Sequence, residues 1–539
     1  MMFDNEANRF GSAAFANDYQ IRSAGMTKKT GDGFFCGFSE GGSPLYHNAL
    51  GGILLCAGAR GGKLRDILGY NLCAGTLSAQ SLLILDAKGE CAFISQDQTP
   101  DKKHCIYWNP AGLHGLPQHR INPVDYIRID SRSLVSDVKV FCENAIPVSG
   151  SPQNDYFERR AQEFAEGIIL TLVKINGVLT LPDLYRIINL IPGNSDAWLD
   201  FGFEMTQSGF EISRRIEEEI ANSRDNPTNG FNGILGELFK AFACLSDPVL
   251  LQSVSPHADG TFDFSCAQLC ESDRRYQFYM MPPAEFIEPW SPVIKALFVA
   301  AMIYKSRSPA SPRQTWILDE AALLQKFPLA VKLFTYGAGI GIRPCAVFQS
   351  TYQMNALGPS AENIITSSAA LRIYFAVRDI ESASTVSRAL GAQTLEFDDA
   401  HAQSRAQFAK RKAMEALIRG EDPMQAGVEY AHHAREETRK TKQHRLLRTP
   451  DEVLNTPPDR AYIFTDALKH PIYGLRKPYY EQAFMAGRYF SNPYYPPLDS
   501  VRVKTWCGYA AKKIITEPVP ERFADYPQYA DGFWRRVAS

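Results

Sequence analysis

The chain has 539 residues, of which 45% are hydrophobic and 22% are charged, and its formal net charge is −2. This composition predicts a globular protein of about two to four domains, and it excludes a globally basic surface for nucleic acid. The 11 cysteines and 10 histidines have neither disulfide-framework nor metal-ligand spacing, which favours a reducing cytoplasm.

The N-terminal segment, Met1 to Ala16, is polar and lacks the apolar core of a signal peptide. The longest apolar stretches, such as Val293 to Tyr304, fall short of the about 18 residues needed to span a bilayer. The sequence therefore predicts a cytoplasmic protein without a transmembrane segment.

Residues 1–50 are loop-rich, and two short apolar pieces within them, Phe34–Gly37 and Pro44–Tyr46, are predicted to be edge strands. The apolar run Ile53–Cys56 follows, then a run of small residues, and then an apolar-periodic segment that begins at Leu64. This order predicts a strand, a glycine-rich loop and a helix.

A strand, a glycine-rich loop and a helix in this order are typical of a phosphate-binding loop. Glycines let backbone N–H groups face an anion, the helix N-terminus adds its positive end, and Lys63 would contact the β- and γ-phosphates. Leu64 stands where the motif has a hydroxyl residue for Mg²⁺, so the metal must be held by carboxylates and water, or it is held poorly. An ordinary glycine-rich turn is the alternative interpretation. The predicted nucleotide-binding residues of the loop are Ala57, Gly58, Ala59, Arg60, Gly61, Gly62, Lys63 and Leu64.

The next predicted strand, Ser81–Leu85, is apolar and ends in the carboxylate of Asp86. Such a run predicts a buried parallel strand whose C-terminal end faces the ligand-binding crevice, which makes Asp86 a candidate nucleotide contact. Two further strands are predicted at His104–Trp108 and Asn122–Ile127.

Between residues 152 and 252 the apolar residues follow helical spacing and are separated by turn clusters. This pattern predicts an all-helical insertion of about a hundred residues. The α/β pattern then resumes with strands at Tyr276–Met281, Thr315–Leu318, Gly341–Phe348 and Leu371–Ala376 and a helix at Trp290–Tyr304.

Two acids, Asp319 and Glu320, follow one of these strands. Asp319 would hold Mg²⁺ through water, and Glu320 would polarise the water that attacks the γ-phosphate. Gln349, at the end of the next strand, would contact both the γ-phosphate and that water. As alternatives, the acids cap the following helix and Gln349 caps a loop. Arg372 is a candidate arginine finger across a subunit boundary or a salt-bridge partner, and Arg60 a candidate phosphate or partner contact.

The charge-rich segment 401–450 predicts a solvated helix pair or a partly disordered insert. The runs Tyr462–Phe464 and Pro471–Tyr473 predict a final hairpin. The Tyr- and Pro-rich tail beyond residue 480 is expected to be irregular and packed on the body.

The phosphate loop, the acidic strand and the glutamine strand stand in the order of a RecA-like motor. The sequence therefore predicts an α/β fold, with a RecA-like P-loop NTPase domain of mostly parallel sheet interrupted by an all-α domain. The predicted divisions are an N-terminal extension at 1–50, nucleotide-binding segments at 51–151 and 253–400, the all-α domain at 152–252, a charged insert at 401–450 and final strands and tail at 451–539.

The ordered motifs of the chain resemble those of the type IV coupling proteins, the TraG/TraD-like ATPases of conjugation and type IV secretion. The resemblance covers residues 11 to 490. Its motifs are Gly11-Ser12-Ala13, the loop Ala57 to Lys63, Leu85 to Glu90, Asn122-Pro123-Val124-Asp125, Ile317 to Glu320, Phe348-Gln349-Ser350 and Thr449-Pro450-Asp451-Glu452.

The resemblance implies a homohexameric ring that hydrolyses ATP with Mg²⁺ and delivers a relaxase-bound DNA strand or effector proteins to a type IV secretion channel. It implies that Lys63 binds phosphate, that Asp319 and Glu320 form the Walker B pair, that Gln349 is the sensor and that the all-α domain recognises substrate. Family members usually begin with membrane-spanning helices. We therefore expect an anchor on another polypeptide that recruits the chain to the inner membrane, a soluble branch, or a true start upstream.

Two residues of the loop depart from the family pattern, with Gly58 in place of proline and Leu64 in place of Gly, Thr or Ser. Three hypotheses follow. The chain is an active ATP-driven motor, or a coupling scaffold that binds nucleotide but hydrolyses it poorly, or a dinucleotide enzyme on a doubly wound sheet. The third lacks a G-x-G-x-x-G sequence after a strand.

Overall fold

The computed structural model describes residues 11–96, 103–148, 150–151, 154–193, 195–225, 229–398, 400–420, 422–437 and 440–538. Its strands are β1 Phe34–Phe38, β2 Pro44–His47, β3 Ile53–Ala57, β4 Ser81–Leu85, β5 His104–Trp108, β6 Tyr276–Met280, β7 Gln314–Leu318, β8 Ile342–Phe348, β9 Leu371–Phe375, β10 Ala392–Asp398, β11 Lys440–Leu446, β12 Arg460–Thr465, β13 Ile472–Leu475, β14 Ser500–Thr505, β15 Gly508–Pro518 and β16 Phe533–Val537.

The α-helices are α1 Asp18–Ser23, α2 Gly69–Cys73, α3 Glu90–Ile94, α4 Leu134–Ala145, α5 Asp155–Asn176, α6 Leu181–Leu190, α7 Asp196–Gln207, α8 Glu211–Asp225, α9 Asn229–Phe242, α10 Pro248–Ser253, α11 Ser291–Arg307, α12 Pro328–Ile340, α13 Ala361–Ser368, α14 Ile380–Leu390, α15 Ala400–Ile418, α16 Pro423–Glu437 and α17 Pro450–Leu454. A π-helical turn at Leu64–Leu68 precedes α2. Short 3₁₀ turns occur at Leu113–Gly115, Ala243–Ser246, Cys266–Cys270, Ala284–Phe286, Ala321–Leu324, Tyr352–Leu357, Tyr479–Glu481, Ala483–Met485, Glu521–Phe523 and Pro527–Tyr529.

The main sheet has 11 strands in the order β2-β1-β13-β12-β9-β3-β8-β7-β4-β6-β5. The seven strands from β9 to β5 are parallel, and β12, β13, β1 and β2 extend the sheet in antiparallel fashion beyond β9. The final hairpin, the apolar parallel strands and the edge position of β2 are thereby confirmed. The prediction that Phe34–Gly37 is an edge strand is wrong, because β13 pairs with the side of β1 that β2 leaves open. Strand β3, which leads into the glycine-rich loop, lies in the middle of the sheet.

Apolar side chains cover both faces of this sheet, as expected for parallel strands with continuous apolar sequences. In β3, Leu54 and Cys56 belong to one core cluster, whereas Ile53, Leu55 and Ala57 belong to the other. This alternation follows from the two-residue period of a strand. Because every residue of β3 is buried, the strand holds the following loop firmly.

Seven described α-helices, α4 to α10, separate β5 from β6 in the chain. Six of them, α5 to α10, form the region in which the sequence predicted a helical pattern, and they confirm that pattern. Helix α5 contacts α4, α6, α7, α8 and α9, so it is the central helix of this region. The region shares one core cluster with the sheet, because Phe164 and Ile168 of α5 belong to the same cluster as Phe278 of β6. The domain boundaries at 152 and 252 stay predictions.

Two predictions of secondary structure, a strand at Asn122–Ile127 and an irregular tail beyond residue 480, are wrong. The segment Asn122–Ile127 forms a turn, because Asn122 Oδ1 accepts the N–H of Val124 and the N–H of Ile127 donates to the carbonyl of Val124. The tail beyond residue 480 contains an antiparallel sheet in the order β14-β15-β16. Its alternating apolar and polar residues are typical of a half-buried strand.

The charged segment after β10 forms a helix pair, which was one of the two alternatives predicted for residues 401–450; the other was a partly disordered insert. Helices α15 and α16 pack on each other through the small buried side chains of Ala406, Ala413 and Ala426. The antiparallel ribbon of β10 and β11 joins the pair to the rest of the chain. None of the described helices is both long and apolar enough to cross a bilayer.

Candidate functional site

The candidate site lies along the carboxyl edge of the parallel strands. Strands β3, β8, β7 and β4 are consecutive neighbours, and in the chain they are followed by the glycine-rich loop, Gln349, Asp319 and Asp86 respectively. Because the carboxyl ends of parallel strands share one edge, the sheet brings these four predicted elements together. Their binding roles stay predictions.

The glycine-rich loop is held by its own backbone bonds. The N–H of Gly61 donates to the carbonyl of Gly58 at 2.9 Å, and the N–H of Asp66 donates to the carbonyl of Gly62 at 2.8 Å. Among the described residues, the structure records no acceptor for the N–H groups of Ala59, Arg60 and Gly62. These free donors fit a bound anion, as in a phosphate-binding loop.

Gly58 is required by the backbone of the neighbouring strand β9. Its N–H donates to the carbonyl of Ala376 at 3.2 Å, and a Cβ at this position would lie 2.4 Å from that same oxygen. Proline has no N–H to donate and adds side-chain bulk. The glycine found here in place of the family's proline therefore matches this local geometry.

Left-handed backbone occurs at three non-glycine residues of this edge, with φ of 57° at Arg60, 56° at Glu320 and 48° at Ala376. Each such residue costs of order 1–3 kcal/mol unless the surrounding structure holds it. Strain of this kind concentrates at functional sites. The strained residues belong to the phosphate loop, the acidic pair and the residue that accepts the Gly58 N–H.

Asp319 is the residue whose environment fits a metal ion best. Its Oδ1 atom is enclosed and has no hydrogen-bond partner among the residues that the structure describes, although the residue as a whole is only half-buried. Burial raises the pKa of its carboxyl to about 6, while the positive charge of Lys63 opposes this shift. A buried carboxylate oxygen without a partner is a fitting ligand for Mg²⁺ or for a water bound to it.

Asp86 lies next to Asp319, because β4 and β7 pair in register up to Leu85 and Leu318. Its Oδ2 accepts the N–H of Ala92 at 2.8 Å, so this carboxylate caps helix α3. Burial raises the pKa of Asp86 to about 7, and the charge of Asp319 adds to the effect. The structure therefore gives Asp86 a helix-capping contact. The contact of Asp86 with nucleotide stays a prediction.

Glu320 projects from its strained position toward Lys88, with Glu320 Oε1 3.4 Å from Lys88 Nζ. It stands at the start of the 3₁₀ turn Ala321–Leu324 but makes no side-chain capping bond there. The alternative that Glu320 caps the following helix is thus wrong. Lys88, which the sequence reasoning did not single out, fixes the orientation of this carboxylate.

Gln349 follows β8 and is half-buried, and its N–H donates to Oε1 of Gln353 at 2.9 Å. Within the described chain, no hydrogen bond of its own side-chain amide is recorded. The amide is thus free for a ligand at this edge.

Arg372 does not lie at this edge. It stands at the N-terminal end of β9, and its guanidinium lies over the Phe464 ring, 5.0 Å from the centroid. Neither an ion pair nor proximity to the phosphate loop is recorded for it in the described chain. Arg378, which follows β9 and is exposed, lies beside the loop, and its Cγ and Cδ lie 3.3 Å from where a Gly58 Cβ would be.

Leu64 starts the π-helical turn and is half-buried against the core cluster that contains Ile67 and Leu68. Apolar packing therefore accommodates its bulk. The residue still brings no hydroxyl group to the site. The prediction that Asp319 and water hold the metal is therefore not replaced by a hydroxyl ligand from the loop, and it stays a prediction.

A buried ion pair behind the loop was not foreseen from the sequence. Arg476 Nη1 lies 2.5 Å from Asp66 Oδ2 and also donates to the carbonyl of Gly61 at 2.8 Å. Arg65 donates to both oxygens of the same carboxylate. The guanidinium of Arg476 also stacks on Phe375 at 4.0 Å. This network connects the loop to the strand pair β12–β13.

The arrangement defines the class of the protein. The central parallel sheet carries a glycine-rich loop with a lysine after β3, a glutamine after β8 and two acids after β7. These are features of a RecA-like P-loop NTPase.

Comparison with known proteins gives the family. The family model described as type IV secretory system conjugative DNA transfer matches residues 5–419, and the chain belongs to this family. Two conjugal transfer proteins TraG from Escherichia coli are each 23% identical to it, over 373 and 434 residues. These alignments cover 65% and 72% of this chain, and the chain spans only 56% and 66% of the lengths of the relatives.

Solved structures share the fold. The bacterial conjugative coupling protein TrwBdeltaN70 aligns with a TM-score of 0.56 and 15% identity, over 86% of this chain and 94% of its own. TrwB in complex with ADP and Mg²⁺ aligns with a TM-score of 0.54 and 15% identity, over 86% and 93% of the two chains. The RecA-like α/β fold with an all-α region is thereby confirmed.

Proposed function

We propose that the chain is an ATPase that drives conjugative DNA transfer as a type IV coupling protein. The observation that carries this proposal is the enclosed Oδ1 of Asp319, which has no partner and lies at the end of the strand beside Glu320, under the influence of Lys63. A motor needs a carboxylate for metal and an acid for water at one edge, and this edge supplies both.

The residues divide the work of hydrolysis among them. The free N–H groups of the loop and the ammonium of Lys63 bind the β- and γ-phosphates of ATP. Mg²⁺, held through Asp319, would neutralise charge that develops on the phosphates. Glu320 accepts the proton of the attacking water, and the amide of Gln349 orients that water beside the γ-phosphate. Arg378, beside Gly58, supplies a further positive charge to the phosphates.

The chain is proposed to act as a homohexamer with a single strand of DNA, bound to a relaxase, as its cargo. Effector proteins are the other class of cargo, and a type IV secretion channel receives either one. Family membership supports the DNA cargo, because the matching model describes conjugative DNA transfer. The helical region α5–α10 is proposed to recognise the cargo, and recruitment to the inner membrane would come through partners.

A second function is favoured by Leu64, which removes the hydroxyl ligand from the loop. Under this alternative the chain binds nucleotide and recruits cargo as a scaffold but hydrolyses ATP poorly. The variant Leu64→Thr, which restores the hydroxyl, distinguishes the scaffold from the motor. If the parent is a scaffold, the variant should turn over ATP severalfold faster than the parent. If the parent is a motor, the two turnover rates should be similar. Leu64→Ala, which removes the bulk without adding a hydroxyl, is the matched control.

The experiment that tests the proposal is steady-state Mg-ATP hydrolysis by the purified chain, with and without single-stranded DNA. Turnover that DNA stimulates would support the motor. Nucleotide binding without turnover in either condition would leave the scaffold, and failure to bind nucleotide would contradict both functions.

A further inference from the structure

The C-terminal sheet contains a hairpin whose tip differs in character from the rest of the surface. Strands β14 and β15 pair in register from Ser500 with Lys513 to Thr505 with Gly508, which leaves Trp506 and Cys507 as a two-residue loop. The hairpin lies outside the residues that the family model matches. The family match therefore says nothing about the function of the hairpin, whereas its own side chains do.

Trp506 is 100% exposed, while the other five tryptophans of the chain are buried. Tryptophan is a large apolar side chain that is highly buried on average, so full exposure at a hairpin tip is uncommon. Nothing in the fold of the described residues packs against this indole. An exposed aromatic plane of this kind is available for stacking on a ligand.

Two cations stand on one face of the hairpin, on the strand that leads to Trp506. The guanidinium of Arg502 lies 3.8 Å from the centroid of the Tyr509 ring, and the ammonium of Lys504 lies 4.4 Å from the same centroid. The register places Lys504 directly opposite Tyr509 and Arg502 opposite Ala511. Because alternate residues of a strand share a face, both cations lie on the Tyr509 face, about 6.8 Å apart along the strand.

The part of the hairpin nearest its tip carries only positive charge. The segment 500–515 contains Arg502, Lys504, Lys512 and Lys513 and no acidic residue, in a chain whose formal net charge is −2. Tyr509 orders two of these cations by cation–π contact and leaves their charge uncompensated. The hairpin therefore presents an ordered cationic face that ends in an aromatic plane.

We propose that this hairpin binds single-stranded DNA, with a base stacked on Trp506 and the sugar–phosphate backbone on Arg502 and Lys504. Proteins bind single strands without sequence preference by this combination of stacking aromatics and backbone-tracking cations. The inference rests on the proposed function in taking DNA as the cargo, and it adds a contact that lies outside the ATPase core.

A lipid surface fits the tip less well. The residues around Trp506 are Thr505, Cys507 and Gly508, so a single indole would have to supply the apolar area that interfacial segments draw from many side chains. The two cations on one strand face, about 6.8 Å apart along the strand, match an extended phosphate backbone better. The experiment below therefore also measures whether the hairpin binds a membrane.

The test uses the full chain and a fluorescein-labelled oligothymidylate of about 16 nucleotides, with binding measured by anisotropy over a range of salt concentrations. Trp506→Ala should weaken binding by about fivefold or more without changing the salt dependence, because it removes a stacked base. The double variant Arg502→Gln/Lys504→Gln should reduce the slope of log affinity against log salt by about 1.4, because two phosphate contacts are lost.

Lys512→Gln is the matched control, since Lys512 pairs with buried Val501 and lies on the opposite face of the hairpin. It should leave both affinity and slope unchanged. In the parent, the oligonucleotide should also protect the accessible tryptophan fluorescence from quenching by acrylamide, and this protection should vanish in Trp506→Ala. Unchanged ATP-analogue affinity and melting temperature would show that the variants remain folded.

Normal binding by Trp506→Ala and by the double variant, with a parent that binds, would overturn the hairpin site and leave the DNA cargo standing. A parent that binds no oligonucleotide would overturn the DNA cargo as well. Loss of co-sedimentation with anionic phosphatidylglycerol vesicles in Trp506→Ala, with oligonucleotide binding intact, would make the hairpin a membrane contact and also overturn the proposal.

Discussion

Arg476 and Asp66 are 410 residues apart in the chain and form a buried ion pair, with Arg476 Nη1 2.5 Å from Asp66 Oδ2. Their side chains are only 2% and 1% exposed. The same nitrogen of Arg476 donates to the carbonyl of Gly61. The pair therefore joins the strands near the end of the RecA-like body to the loop that is proposed to bind phosphate.

Arg476→Ala should destabilise the fold by about 3–5 kcal/mol, because it leaves the Asp66 carboxylate buried without this partner. Urea unfolding measures this change. Arg65→Ala is the control, since Arg65 binds the same carboxylate from a side chain that is 45% exposed. It should cost about 1 kcal/mol or less. If Arg476→Ala and Arg65→Ala lower the free energy of unfolding equally, the buried ion pair stabilises the fold no more than the exposed one does.

Gly58→Ala and Gly58→Pro probe the contact of the loop with strand β9. A Cβ here would meet the carbonyl oxygen of Ala376 at 2.4 Å, and proline would also remove the N–H that donates to it. Both variants should lower the melting temperature, with Gly58→Pro the lower. Thermal unfolding checks the order, and a Gly58→Pro protein as stable as the parent would contradict the geometry of the loop.

Asp319 should make the stability of the nucleotide-free protein depend on pH. Folding raises its pKa from the ordinary 3.8 to about 6, so its stabilising contribution is present below pH 3.8 and is lost as the pH rises through 6. Asp319→Asn should therefore be more stable than the parent at pH 8, by roughly 1–3 kcal/mol, with the difference shrinking toward pH 4. Urea unfolding at a series of pH values measures it. A difference that does not vary with pH would contradict the assigned burial.

Lys63→Ala should weaken ATP binding at least about tenfold, because a charge-assisted contact to phosphate contributes about 1.5–3 kcal/mol. Titration with a fluorescent ATP analogue measures the affinity. Lys332→Ala, an exposed lysine of α12, is the control and should bind as the parent does. Unchanged affinity in Lys63→Ala would show that the glycine-rich loop is an ordinary turn.

Much of this fold follows from the sequence, because the parallel strands are continuous apolar runs bounded by glycine or polar residues. Their C-terminal ends carry Asp86, Asp319 and Gln349, and parallel pairing alone brings those ends to one edge. The Asp66–Arg476 pair could not be predicted in this way. Its partners belong to elements distant in the chain, and nothing in their local sequences marks a contact.

Other misses have local causes. Asn122 bonds its own backbone two residues on, and this turn chemistry overrides the apolar character of Val124 and Ile127. The alternation of Val501 and Val503 with Arg502 and Lys504 marks a strand, but the tyrosines and prolines around it favoured an irregular tail. Arg372 lies at the opposite end of its strand from the site of its own subunit, and its proposed role as an arginine finger across a subunit boundary stays a prediction.

The proposed motor requires Glu320 to act as the base in ATP hydrolysis. The most direct test compares Mg-ATP turnover of the parent and Glu320→Gln, each with and without single-stranded DNA. The amide keeps the shape of the side chain but cannot accept a proton, so turnover should fall by about 10²–10⁴ while ATP binding is retained. DNA should stimulate the parent alone. Equal and negligible rates in all four assays would contradict the motor and leave the scaffold.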